Sequence, residues 1–247
     1  MEKIVAKDTV KVFSFPECPK RIEIAIKSID GLTKKLRSCK YKIDLSISFE
    51  NVHEQYPDFS DFLRRFYETC KRLKIFSTPD GDPFALRMLD YFWPIIRDPG
   101  TNVRNNLPLY MSPEKEEFVQ PFVDEARSHS EEWRPAIGLQ VHMLEDPCLL
   151  GLLGSGGWGV APIAKACEDC RIALVIKEYP QIIYHEFLHL FGVGEGYDKT
   201  TKATLPEPDC DKSCWMQYEV SKGTGLCQNH QDELRDFLKR MKGKEIE

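Results

Sequence analysis

Residues 180–195 read Pro-Gln-Ile-Ile-Tyr-His-Glu-Phe-Leu-His-Leu-Phe-Gly-Val-Gly-Glu, and no other stretch of the 247-residue chain narrows its fold as much. Pro180 suits the first turn of a helix, where its missing N–H leaves no bond unmade. Residues four apart on a helix share a face and lie roughly 6 Å apart along its axis, so His185 and His189 can direct ring nitrogens at one ion. The rest of the helix is apolar (Ile182, Ile183, Phe187, Leu188, Leu190, Phe191). The two histidines are therefore either metal ligands or hydrogen-bonded core residues, and a short His-Glu-x-x-His match alone does not decide between them.

The flanking residues favour the ligand reading. Zinc suits imidazole, takes about four ligands at roughly 2.0 to 2.2 Å, and keeps one position for water when it is catalytic. Glu186, beside the first histidine, is placed to take a proton from that water. Gly192 comes three residues after His189, where a left-handed residue ends a helix and turns the chain back. That turn returns Glu195 towards the metal as a third ligand, with Asp198 and Asp209 as competing carboxylates.

With these residues in view, the segment resembles the metzincins, whose signature is His-Glu-x-x-His-x-x-Gly-x-x-His or Asp; Glu195 stands at the last position here. Cys214-Trp215-Met216-Gln217-Tyr218 matches their second hallmark, a methionine in a tight turn under the metal. Tyr218, two residues after that methionine, occupies the place of a tyrosine that assists the transition state in astacins and serralysins. Read without the resemblance, Trp215, Met216 and Tyr218 are ordinary core residues. The resemblance covers roughly 105–247. It implies an α+β fold in which a long helix, an edge strand that pairs with an extended substrate and a further strand precede the active-site helix. Residues 112–133, 157–164 and 171–176 follow that order.

A second metal site is spelled by Cys210-x3-Cys214-x12-Cys227-x2-His230, two short pairs of soft ligands separated by a dozen residues. It resembles the cysteine-bound zinc of archaemetzincins, in which one cysteine lies two residues before the methionine, as Cys214 does. Two positions depart from that pattern. Gly196 stands where a cysteine follows the third catalytic ligand, and the final pair is Cys227-x-x-His230. Cys167 and Cys170 form another close pair that can replace part of the set, and Cys18 reads as a loop residue.

The remaining sequence predicts a strand over 41–49 and a helix over 58–73. A helix from about Phe84 is expected to end or bend near Pro94. Further expectations are a strand over 107–111, a helix from Ser112-Pro113 to about Trp133, strands over 137–144, 160–164 and 171–176, and a last helix from about Gln231. Asp98-Pro99-Gly100-Thr101-Asn102 is the linker candidate, dividing residues 1–100, an α+β region without catalytic chemistry, from a metzincin-like domain over 105–247.

Composition bounds the rest. A net charge of -5 with no long basic run argues against nucleic acid as a partner. No apolar run reaches a membrane span, and Met1–Phe15 alternates apolar and charged residues rather than forming a signal's apolar stretch. Nine cysteines cannot all pair, and clustered cysteines in a reducing, cytoplasmic setting more often bind metal. The expected function is zinc-dependent hydrolysis of a peptide or protein. Zn2+ is then held by His185, His189 and Glu195, with Glu186 as general base and a second, structural Zn2+ at the cysteine set. The rival expectation is a non-catalytic, zinc-stabilised binding protein descended from a peptidase.

Overall fold

A computed structural model describes residues 5–39, 43–78, 81–100, 113–151, 158–162, 171–197, 210, 213–217 and 223–242. In chain order it contains β1 (Val5–Phe15), α1 (Pro19–Arg37), β2 (Asp44–Asn51), α2 (Val52–Gln55), α3 (Pro57–Leu73), α4 (Phe84–Arg97), α5 (Pro113–Ser128), α6 (Ser130–Trp133), β3 (Leu139–Leu144), β4 (Gly159–Val160), β5 (Arg171–Val175), α7 (Pro180–His189) and α8 (Gln228–Lys242). The architecture is α+β around one mixed five-stranded sheet in the order β2-β1-β3-β5-β4. β1 pairs in parallel with β2 and β3, and β3 with β5; β4 runs antiparallel on the edge of β5.

Both faces of the sheet are buried, and alternation sorts the side chains between them. Val10, Val12, Leu139, Val141, Met143, Ala173 and Val175 face a core built with α1, α7 and α8. Phe13, Phe15, Leu144, Ile172 and Leu174 face an aromatic core with α3, α4, α5 and α6, where Phe59, Phe62, Phe66, Phe92, Trp93 and Trp133 pack edge to face and tilted. The interior strand β1 belongs to the first hundred residues and the central strand β3, with β5, to the region beyond 105, so strand pairing crosses the linker candidate and each core draws on both sides of it.

Element limits follow local chemistry. α1, α3 and α7 each begin at a proline, and α3 ends on Lys74 in the left-handed region (φ 54°). α4 continues past Pro94 to Arg97 instead of ending there. Pro94 removes one helical N–H, while Trp93, Ile95 and Ile96 are fully buried around it and Asp98 N–H still reaches the Pro94 carbonyl at 2.9 Å. The helix expected to reach Trp133 is interrupted at His129, between α5 and α6. α8 starts three residues before its expected origin, which brings His230 into the helix. The strand expected over 107–111 lies outside the described residues. Among the described residues no helix is long and apolar enough to cross a membrane.

Polar groups inside the aromatic core are chained together. Tyr67 Oη meets His142 Nδ1 at 2.7 Å, His142 Nε2 meets Gln140 Oε1 at 2.5 Å, and Gln140 Nε2 donates to the Ala136 carbonyl at 2.6 Å. Gln140 Oε1 can only accept, so Nε2 of His142 carries the hydrogen and Nδ1 takes the tyrosine proton. Burial pushes the His142 pKa down to about 3. The unfolded chain binds a proton at this residue below about pH 6.5 and the folded chain does not, so stability falls as pH drops from about 6.5 towards about 3. The expected contribution is at most about 1.4 kcal/mol per pH unit. Urea midpoints between pH 7 and pH 4.5 test it: His142→Gln should fall less steeply with acidification than wild type, and parallel slopes would contradict the assignment.

Candidate metal centre

α7 carries its two histidines into the core against α1 and β5, and both rings are buried. Each ring is oriented through Nδ1: that of His185 lies 2.9 Å from the Trp215 carbonyl, and that of His189 lies 2.7 Å from the Val193 carbonyl. A carbonyl only accepts, so both Nδ1 atoms carry hydrogen and the lone pair of each neutral ring sits on Nε2. The two Nε2 atoms are 3.1 Å apart, and Glu195 Oε2 lies 3.3 and 3.4 Å from them. Three electron-rich atoms in buried contact need a positive charge between them, supplied by protons or by a cation. Tetrahedral coordination at about 2.0 to 2.1 Å sets ligand atoms about 3.3 to 3.4 Å apart, close to the observed triangle.

Glu195 arrives by the turn that ends α7. Gly192 is left-handed (φ 70°), Gly192 N–H reaches the His189 carbonyl at 3.0 Å, and Val193 N–H reaches the Leu188 carbonyl at 3.3 Å. This is the paired closure that a glycine after a helix permits. It swings the Val193 carbonyl onto His189 and delivers Glu195 to the two rings. Arg171 secures the helix end, donating to the Leu190 carbonyl at 2.9 Å and pairing with Asp8 at 2.6 Å.

Cys210, Cys214, Cys227 and His230 form a second cluster whose ligand atoms all lie within 4.8 Å of one another. His230 Nδ1 is 3.7, 3.4 and 3.0 Å from the sulfurs of Cys210, Cys214 and Cys227, and the Cys227 and Cys210 sulfurs are 4.0 Å apart. These separations are too long for a disulfide and near the roughly 3.6 to 3.8 Å edges of a tetrahedron with metal–sulfur bonds of about 2.3 Å. Gln217 Nε2 donates to the Cys210 sulfur at 2.9 Å, and Cys227 N–H to the Cys214 sulfur at 3.4 Å. The Cys214 thiol and His230 hold Cys227 far below the ordinary thiol range, with Cys214 raised in exchange. Either cluster could hold a metal ion.

The two clusters are joined through residues 214–216. Trp215, flanked by Cys214 and Met216, provides the carbonyl that orients His185. Its ring packs edge-on against Tyr184 (5.2 Å) and lies 5.4 Å from Lys35 Nζ on α1. Met216 is fully buried and its carbonyl accepts from Gly196 N–H at 2.7 Å.

Glu186 faces the sheet edge. A Cβ on Gly159 of β4 would come within 2.5 Å of Glu186 Cγ, and the Ala161 backbone N–H hydrogen-bonds its carboxylate. Burial raises the Glu186 pKa against the pull of the two histidines. Burial opposes the charged form of His185, yet Glu195 and Glu186 together raise its pKa. Glu195, which burial alone would raise, is held well below the carboxylate range by the two rings.

All the sequence-expected ligands therefore fall into two clusters. Tyr218, Asp198, Asp209, Cys167 and Cys170 lie outside the described residues. Sequence reasoning missed the Trp215 and Val193 carbonyls, which act through backbone and carry no side-chain signal. It also missed Glu233, whose carboxylate accepts from Gly194 N–H at 2.8 Å, and Tyr197, whose ring stacks on His185 at 6.4 Å between centroids. No protein-family model matches the chain, and no curated protein sequence matches it.

Protons and a metal ion compete for the same three atoms. Because the His185 pKa is raised, its proton is held more tightly than on a free imidazole. Metal affinity at the histidine set should therefore fall as pH drops through that raised pKa, by about tenfold per pH unit for each proton displaced. Isothermal titration at stepped pH checks this: an affinity flat between pH 7.5 and pH 5.5 would rule out the histidine pair as ligands.

Proposed function

We propose that this chain is a zinc-dependent metallopeptidase of the metzincin type, closest in its motifs to archaemetzincins. The observation that carries the reading is the placement of Glu186. Its carboxylate lies between the helix holding His185 and His189 and the edge strand β4, so a candidate base, a candidate metal triangle and a peptide-binding edge meet in one place.

His185, His189 and Glu195 would hold a divalent ion, and such an ion would supply a Lewis acid that acidifies a water. The chain's own groups do the rest. The Trp215 and Val193 carbonyls hold both imidazoles in the tautomer that offers Nε2, so no ring must reorient to bind. Two neutral rings and one carboxylate leave the centre cationic. Glu186, its pKa raised by burial, would accept the proton of the attacking water and return it to the leaving amine. β4, antiparallel at the edge of the sheet, presents backbone groups to an extended polypeptide, which favours a peptide over a small amide.

Zinc is the ion we assign to both sets, since thiolates with imidazole, and imidazoles with one carboxylate, are ligand sets it accepts. Two features of the chain support the family reading. The order α5, β4, β5, α7 is that of the long helix, edge strand, further strand and active-site helix implied by the resemblance. Gly196, where archaemetzincins carry a cysteine, leaves space that the Cys210 sulfur occupies, 2.5 Å from where a Cβ would stand. A thiol thus reaches the same place from another point of the chain. The free thiols of Cys210, Cys214 and Cys227 suit a reducing, cytoplasmic setting.

The test is Glu186→Gln against a broad peptide library, with zinc measured on the same samples. Cleavage should fall about 100-fold or more while zinc content stays at the wild-type level. Cleavage at the wild-type rate would overturn the base assignment, and a fully zinc-loaded wild type that cleaves nothing would favour the non-catalytic binding protein. Gly159→Val should push the Glu186 carboxylate aside and lower kcat with zinc retained.

A further inference from the structure

The two ligand sets share a carboxylate. Glu233 Oε2 accepts from Gly194 N–H at 2.8 Å, one residue before Glu195, and the same oxygen lies 4.0 Å from Nε2 of His230. His230 turns its other nitrogen, Nδ1, to the three sulfurs. Both residues stand on α8 three positions apart, so they share a helical face and move together. A shift of His230 towards an ion would therefore carry Glu233 with it against the backbone that leads into Glu195. The residue on the other side of Glu195 is tied the same way: Gly196 N–H donates to the Met216 carbonyl at 2.7 Å, and Gly196 packs against the Cys210 sulfur. Glu195 is thereby held between two residues, each fixed to the cysteine set.

We infer that Glu233 is a positioning residue that couples the two sites, so that metal at Cys210, Cys214, Cys227 and His230 presets Glu195 and raises the affinity of the histidine set. The inference rests on the reading that His185, His189 and Glu195 bind a divalent ion, and it does not require that peptide bonds be cleaved. Thermodynamic linkage makes the effect reciprocal: filling the histidine set must tighten the cysteine set by the same factor. Loss of an outer partner of this kind lowers metal affinity by about 10- to 100-fold.

The experiment uses the full chain stripped of metal. One equivalent of Cd2+, which thiolates select, fills the cysteine set and is followed by its thiolate charge-transfer absorption. Co2+ is then titrated into the histidine set and read by its visible spectrum. With Cd2+ bound in both proteins, Glu233→Ala should bind Co2+ tenfold or more weakly than wild type, and Cd2+ affinity in the variant should no longer rise once the histidine set is filled. Glu233→Gln keeps an acceptor for Gly194 N–H and should recover part of the loss, which separates positioning from a general loss of stability. Should Glu233→Ala not fold, Glu233→Gln and Glu233→Asp carry the test, each expected to weaken Co2+ binding. Co2+ affinity within twofold of wild type in the folded variants would overturn the coupling. No Co2+ binding by Cd2+-loaded wild type would overturn the reading beneath it as well.

Discussion

Two imidazole nitrogens and a carboxylate oxygen, all within 3.4 Å of one another inside the protein, are the constraint around which the rest is arranged. Neither ring can relieve it by changing tautomer, because each Nδ1 is committed to a backbone carbonyl. Charge must enter, and much of the surrounding architecture keeps the three atoms where a cation satisfies them together. α7 fixes the spacing of the rings, the left-handed Gly192 turn delivers the carboxylate, and Arg171 ties the helix end to β1 through Asp8. A buried triad of this kind with no positive charge would be a standing cost to stability. A proton or a metal ion relieves that cost, and the three groups could hold a metal ion.

The cysteine set makes that geometry durable. Residues 213–217 have little regular structure of their own, yet they hold the carbonyls that orient His185 and receive Gly196. Their anchorage comes from Cys214 within the cluster, from the pairing of Trp215 with Gly225, and from the ring of Trp215 between Tyr184 and Lys35. A metal held by four ligands can supply folding free energy that so short a segment does not generate by packing. The two candidate metal sets are thus separate in their residues and joined through the backbone of residues 214–216.

How far the chain could be read in advance varied with the range of the interactions. The clustering of candidate ligands is legible wherever a rigid local device fixes their spacing: the four-residue interval on α7, the glycine turn to Glu195, and the Cys-x3-Cys and Cys-x2-His pairs. The orienting carbonyls of Trp215 and Val193 were not, because any residue offers a carbonyl. Glu233 was hidden among the other acidic residues of a charged amphipathic helix. At the level of fold, the helix over 58–73 is visible from periodicity, as are the strand observed at Asp44–Asn51 and the start of the helix at Phe84, whose run past Pro94 to Arg97 is not. β1 was the main omission. Its alternation of apolar and charged residues was noticed only as evidence against a signal, yet Val10 and Val12 enter one core while Phe13 and Phe15 enter the other. Parallel pairing of β1 with β3, more than a hundred residues away, leaves no trace in local sequence, and a linker-like Asp98–Asn102 segment therefore suggested a division that the sheet spans.

Everything turns on whether His185, His189 and Glu195 together bind a divalent ion. Anomalous diffraction from crystals of zinc-loaded protein, collected on both sides of the zinc absorption edge, addresses it directly. A peak is expected about 2.0 to 2.2 Å from Nε2 of both histidines and from a carboxylate oxygen of Glu195, alongside a second peak among Cys210, Cys214, Cys227 and His230. A full second peak with no anomalous density between the two imidazoles would contradict it.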